Sequence, residues 1–223
     1  MKMKFLARGI GAAACLFALA TTAHATLIAN GSFEANTAVG NVFNPSNATF
    51  NGLVSNVTAY GIREGMDLQT VGTPYGLAPI DGLWKVSPAS DAGGTSEEFS
   101  MALTGPLTAG QSYDLSFYIE RLISGPFDGG TVEIGVSASA NSFGTAIFSA
   151  TAPVSGWSFQ STSFLAPIAG SFITVRPTNA KSSWVGLDNF VLTSSATSVP
   201  EPATLVLLGV ALAGLGFSRR KVH

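Results

Sequence analysis

An all-β body, a single antiparallel β-sandwich of the jelly-roll kind, is what this sequence predicts, and three observations predict it. Apolar side chains recur at every second residue, clusters of Gly, Pro, Asn, Asp and Ser separate those runs, and no long 3.6-residue period with helix caps occurs between the two ends. Many short strands spaced by turn signals bury their alternate side chains only by packing sheet on sheet. The body is read as residues 26–193, preceded by a signal peptide over 1–25 and followed by a short polar linker, 194–198, and a C-terminal segment, 199–223.

Taken in order, residues 37–53 are rich in Asn and aperiodic and are expected as a long loop. Residues 98–103 are the next candidate strand. In 112–120, Tyr113, Leu115, Phe117 and Ile119 share one face by strict alternation. In 131–139, Val132, Ile134, Val136 and Ala138 point inward and Glu133 outward. Strands are also expected over 156–165, 171–176 and 184–193, with turns at Gly105-Pro106, Ala109-Gly110 and Gly125-Pro126 between them.

The two ends differ in kind from this body. Residues 1–25 open with Lys2, Lys4 and Arg8, continue through a short apolar run and close on the small residues Ala23 and Ala25. These are the three parts of a secretory signal peptide, cut between Ala25 and Thr26 by a signal peptidase. The alternative, an uncleaved anchor helix, is disfavoured because the apolar run is short for a span. At the other end Pro200, Glu201 and Pro202 precede an apolar run, 203–217, and then Arg219, Arg220 and Lys221. As a helix that run is ~22 Å long against a ~30 Å hydrocarbon core, so it spans only with snorkelling flanks or a thinned bilayer. The basic cluster stays cytoplasmic and places the body on the far side of the membrane. The fold is therefore expected to be flanked by a signal-peptide helix and a transmembrane helix.

Pro200-Glu201-Pro202, the apolar helix after them and the Arg219-Arg220 cluster together resemble the PEP-CTERM sorting signal of Gram-negative bacteria. The resemblance implies recognition by an exosortase-type processing enzyme, an inner-membrane intermediate, removal of the tail, and delivery to the cell surface or an exopolysaccharide matrix. A second resemblance concerns the body. Asn30-Gly-Ser-Phe-Glu34 is similar to the first strand of galactose-binding-like and carbohydrate-binding-module jelly rolls. Residues 107–118 are similar to their central strand and 186–192 to their closing strand. This likeness implies the fold, and carbohydrate binding more loosely, because the same fold hosts structural modules. It also implies a structural calcium held by Glu34 and Asp188, a hard cation taking oxygen ligands. The alternative for both carboxylates is a role in turn or edge hydrogen bonds.

Composition excludes several functions. The whole chain has a net charge of −2, which offers no basic footprint for nucleic acid. Cys15, His24 and His223 all lie in the two ends, so the body can assemble neither a zinc cluster nor a Ser-His-Asp or Cys-His nucleophile. It holds five basic side chains against twelve acidic ones, a net of −7. Trp84, Trp157, Trp184, Tyr60, Tyr75 and Tyr118 are the candidate sugar-stacking rings. Trp84 follows the Asp81-Gly82 turn and is expected exposed, Trp157 is expected in the core with Phe159, and no ring is singled out as a ligand contact. The acidic run 91–98 reads as a solvated loop. The expectation is an exported, non-enzymatic surface or matrix protein with a structural or adhesive role in exopolysaccharide or biofilm. Its rivals are a carbohydrate-binding module with a defined glycan and a carboxylate-dependent glycoside-active enzyme.

Overall fold

The computed structural model describes residues 25–178 and 180–195. The expected signal-peptide helix, the transmembrane helix and the sorting residues Pro200, Glu201, Pro202, Arg219 and Arg220 lie outside the described residues. Among the described residues no helix is long and apolar enough to cross a membrane.

The elements in chain order are α1 (Asn47–Leu53), β1 (Val57–Ala59), β2 (Asp67–Thr70), β3 (Trp84–Ser87), β4 (Ala89–Ser90), β5 (Phe99–Ala102), β6 (Ser112–Arg121), β7 (Ile123–Ser124), β8 (Phe127–Asp128), β9 (Thr131–Ser137), β10 (Thr145–Thr151), β11 (Trp157–Leu165), β12 (Phe172–Pro177) and β13 (Ser183–Ser194). Five strands form one antiparallel sheet, β1-β5-β12-β9-β10, and six form the other, β11-β6-β13-β3-β2 with β4 as the sixth, paired to β13 off this path. From β5 onward the chain crosses repeatedly between the two sheets, as in a jelly roll. β4 extends the pairing of β13, and β7 with β8 makes a separate hairpin.

The alternating side chains build the layer between the sheets. Tyr113, Leu115, Phe117 and Ile119 of β6 are buried, as are Val132, Ile134 and Val136 of β9. At the centre Phe117 stacks on Phe190 with ring centroids 4.8 Å apart, and Phe33 meets Phe99 and Phe190 edge-on at 6.2 Å each. Each such ring contributes roughly 2–3 kcal/mol through the apolar area it removes from water.

Six local expectations need correction. Residues 37–53 are not all loop, because 47–53 form α1, capped by Ser46 Oγ accepting from the Thr49 amide at 3.2 Å. The helix buries only Phe50, too little to write a period into the sequence. Residues 30–34 form turns rather than a first strand, with one isolated bridge just before them, Ile28 to Leu103. The Asn30 side chain supplies the reason: it donates to Ser55 O at 2.8 Å and accepts from the Ala35 amide at 3.1 Å, competing with a ladder. β9 ends at Ser137, so Ala138 is exposed. Trp84 is buried, not exposed, and Trp157 is half-buried on the outer face of the six-stranded sheet, where Phe159 is 56% exposed. β13 runs to Ser194, and the Ser195 amide donates to Ser112 O at 3.0 Å, so the sheet continues into the expected linker.

Gly31 marks the tightest approach in the core. A Cβ there would stand 1.9 Å from Phe190 O, against backbone that cannot step aside. The Phe190 amide donates to Gly31 O at 2.9 Å, so the two segments are bonded where they nearly touch. Gly31→Ala is expected to destabilise the body by about 2 kcal/mol or more through overpacking, read as a lowered denaturant midpoint with the m-value unchanged.

Candidate functional site

The connection between β2 and β3, residues 71–83, lies as a strap across the outer face of the six-stranded sheet, and buried charges hold it there. Lys85 Nζ donates to Glu120 Oε1, to Leu77 O at 2.8 Å and to Tyr75 O at 3.3 Å. Glu120 Oε2 accepts from the Leu77 amide at 2.9 Å. Asp188 Oδ2 accepts from the Ile80 and Asp81 amides at 2.7 and 3.0 Å, and Glu34 Oε1 from the Leu83 and Trp84 amides at 2.8 Å each. Trp157 Nε1 adds a bond to Ala78 O at 3.0 Å. Burial pushes the Lys85 ammonium down and the Glu120 carboxyl up, each opposed by attraction to the other.

Glu34 and Asp188, the expected calcium ligands, therefore serve one loop from two elements. The donor set around them does not fit the ion. Asp188 Oδ1 accepts from the Asn189 amide at 2.6 Å, so three N–H groups turn their positive ends toward this one carboxylate. A calcium shell requires converging oxygens instead. Among the described residues no group of three or more His, Cys, Asp or Glu able to hold a metal forms.

At one end of the strap opens a cleft of about 380 Å³, within the range of small-ligand sites. Phe43 and Asn44 enter it from the loop before α1, Arg63 and Gly65 from the β1–β2 loop, Asp67 from the start of β2 and Tyr75 from the strap. Glu97 comes from the β4–β5 loop, Phe127 from β8 and Trp184 from β13. The rings form a ladder: Phe43 meets Tyr75 at 5.5 Å and Tyr75 meets Trp184 at 5.0 Å, both edge-on. Trp184 is fixed by Nε1 donating to Ser87 O at 3.2 Å, while Phe43 and Tyr75 are 38% and 37% exposed at the rim.

The charged groups of the cleft are fixed from below. Arg63 donates from Nε to Glu97 Oε1 at 2.9 Å and from an Nη to Asp91 Oδ2 at 2.7 Å, with its guanidinium 5.1 Å from the Phe127 ring centre. Glu97 Oε2 accepts from the Ala89 amide at 2.8 Å. Asp67 Oδ1 accepts from the Asn44 amide at 2.8 Å, and Asp67 belongs to none of the ion pairs among the described residues. Burial pushes the Asp67 carboxyl up to about 6 and the Glu97 carboxyl up to about 7. The acidic run 91–98 is a solvated loop only in part: residues 92–94 are exposed, but Glu97 is buried against Arg63.

Of the six rings named from sequence, the fold brings Tyr75 and Trp184 into the cleft and leaves Tyr60, Trp84, Tyr118 and Trp157 outside it. Phe43, Arg63, Asp67 and Phe127 were not identifiable from periodicity. The one signal available was an acid, Asp67, set between two apolar residues, Met66 and Leu68.

Residues 198–221 match the family model of the PEP-CTERM protein-sorting motif. Such a motif marks an exported protein that passes through a membrane-anchored intermediate and is processed by an exosortase. No curated protein matches the chain. Among solved structures, a cyclase from Fischerella sp. TAU is similar at TM-score 0.49 and 14% identity, covering 75% of this chain and 95% of its own. The CBM22-1 xylan-binding domain of Paenibacillus barcinonensis Xyn10C is similar at TM-score 0.43 and 15% identity, over 78% and 99% of the two chains. TmCBM61, solved with β-1,4-galactotriose, is similar at TM-score 0.43 and 17% identity, over 76% and 99%.

Two measurements test these electrostatics. Burial also raises Asp188 to about 7, so with Asp67 and Glu97 three acids keep their protons in the folded body to higher pH than in the unfolded chain. The folded state then binds more protons between roughly pH 4 and pH 7, and stability falls as pH rises through that window. The melting midpoint is expected to be higher at pH 5 than at pH 8, and Asp67→Asn to raise it by about 2–4 °C at pH 8 only. The midpoint is expected to be the same in calcium and in chelator, and a calcium-dependent rise would restore Glu34 and Asp188 as ligands.

Proposed function

We propose that this protein is cut after Ala25, handled by an exosortase-type enzyme at its C-terminal motif, and placed at the cell surface or in the extracellular matrix of a Gram-negative bacterium. There the sandwich acts as a non-catalytic structural or adhesive component of an exopolysaccharide matrix, holding glycan in the cleft of Tyr75 and Trp184. The observation that carries the destination is the sorting motif at 198–221. The body suits cleavage after Ala25, because Thr26 already takes part in it: its Oγ1 accepts from the Leu192 amide at 3.2 Å. The cleft suits a sugar, because pyranose rings combine apolar CH faces with hydroxyls, and it offers aromatic rings beside carboxylates and an arginine. Without His or Cys the body lacks the commonest nucleophile systems, which supports the non-catalytic role.

A second reading, carboxylate-dependent action on a glycoside, is favoured by one observation. Asp67 and Glu97 line one cleft, and burial raises them unequally: Glu97, at about 7, keeps a share of its proton at neutral pH, as a general acid must, while Asp67, at about 6, is mostly ionised, as its partner must be. Loss of polysaccharide chains on incubation, abolished by Glu97→Gln, would establish it over the binding role.

Expression with and without the exosortase is expected to give a shorter, surface- or matrix-associated product only when the enzyme is present, and the same mass and location in both would overturn the sorting reading. In pull-downs with exopolysaccharide, Tyr75→Ala is expected to weaken retention about tenfold, the scale of one lost ring contact. Retention unchanged by Tyr75→Ala would place the glycan elsewhere on the body.

A further inference from the structure

The cleft that holds glycan in the proposed function has a charge balance that selects among glycans. Its charged lining is Arg63, Asp67 and Glu97, one cation against two anions, and Asp91, outside the lining, also pairs with Arg63. Arg63 is consumed by Glu97 and Asp91, at 2.9 and 2.7 Å. Asp67 is left with hydrogen bonds only: the Asn44 amide at 2.8 Å and a long contact from Gln69 Nε2 at 3.4 Å. It is nonetheless 5% exposed, a desolvated carboxylate with no cation of its own. Across the β2–β3 ladder stands Ser87, on the same face of the sheet, whose buried Oγ has no hydrogen-bond partner.

Three kinds of sugar can be compared at such a place. A neutral sugar can offer Asp67 hydroxyl donors but no cation. A uronate adds a negative charge beside two carboxylates and is repelled. An amino sugar brings the missing cation, and the partly exposed aromatic rings of Phe43 and Tyr75 at the rim also favour it. The body's net charge of −7 draws a polycation in the same direction. We infer that the cleft of Asp67, Glu97, Phe43 and Tyr75 receives the protonated amine of an amino-sugar unit in a glycan chain.

This inference rests on the glycan reading of the cleft, and one titration separates the two. The purified protein is titrated with a β-1,4-linked glucosamine hexamer and with its fully N-acetylated form, at pH 7 and at pH 5. At pH 7 the free amine is expected to bind about tenfold more tightly, the scale of one desolvated cation contact. At pH 5 the amine keeps its charge while both carboxyls take up protons, so the preference is expected to vanish. Asp67→Asn keeps the acceptor oxygen for the Asn44 amide, and it is expected to lose the preference at pH 7 while still binding the acetylated chain. Equal affinity for both hexamers at pH 7, or a preference that survives Asp67→Asn, overturns the amine inference and leaves the glycan reading standing. Binding of neither hexamer, nor of the exopolysaccharide, overturns both.

Discussion

The strap over residues 71–83 depends on a buried ion pair, and much of the molecule depends on the strap. Lys85 is 0% exposed in the middle of a sheet, and its charge is tolerable only because Glu120 and two strap carbonyls surround it. Glu120 in turn sits where β13 offers no side chain: a Cβ on Gly186 would stand 2.5 Å from Glu120 Oε1. Removing either partner strands the other charge in the interior, a cost of about 3–5 kcal/mol, and unties Leu77 from both. Pair and strap therefore form together. The same logic repeats along the loop, where Asp188 and Glu34 each take two consecutive amides and satisfy backbone that no ladder reaches. Gly82 lets the chain pass close to Glu34, at φ +69 and with room for no Cβ beside that carboxylate.

The cleft is a consequence of this fixation. Tyr75 is a loop residue, yet its backbone carbonyl is held by Lys85 and its ring rests 5.0 Å from Trp184. A mobile loop would present the same ring at an entropic cost on every binding event, whereas a tied one has already met it. The acids of the cleft are positioned from beneath by backbone amides, and Arg63 is immobilised between two of them and the Phe127 ring. The site is thus preorganised by charges that the sheet itself buries.

What was legible in the sequence follows from which faces the fold covers. β6 and β9 bury one face chiefly, so Leu115 and Phe117, or Val132 and Ile134, reveal themselves by alternation. β3 is buried on both faces, because the strap covers the outer one, and all four of its residues are buried, Lys85 included. Alternation carries no information there, so nothing offsets the Asp81-Gly82 turn that makes Trp84 read as exposed, and Lys85 is passed over. Glu97 misleads for a different reason: its partner, Arg63, lies 34 residues away, and a local run of acids gives no hint of it. The cleft as a whole is drawn from widely separated segments, so no window of sequence contains it. The sorting motif is the opposite case, a contiguous signal that matches over 198–221 and is readable without any fold.

β13 links the two halves of this picture. It opens with Ser183 and Trp184, at the cleft, and closes at Ser194, just before the sorting motif begins. At ~3.4 Å per residue, the ten residues from Trp184 to Ser194 span about 34 Å, slightly less with the irregularity between Asp188 and Val191. The beginning of the body meets the same far end, since the Leu27 amide donates to Leu192 O at 2.7 Å. Both termini of the sandwich therefore leave from the edge opposite the cleft. In the proposed function, the end of the body that leads to the sorting motif and the cleft that holds glycan thus lie on opposite edges.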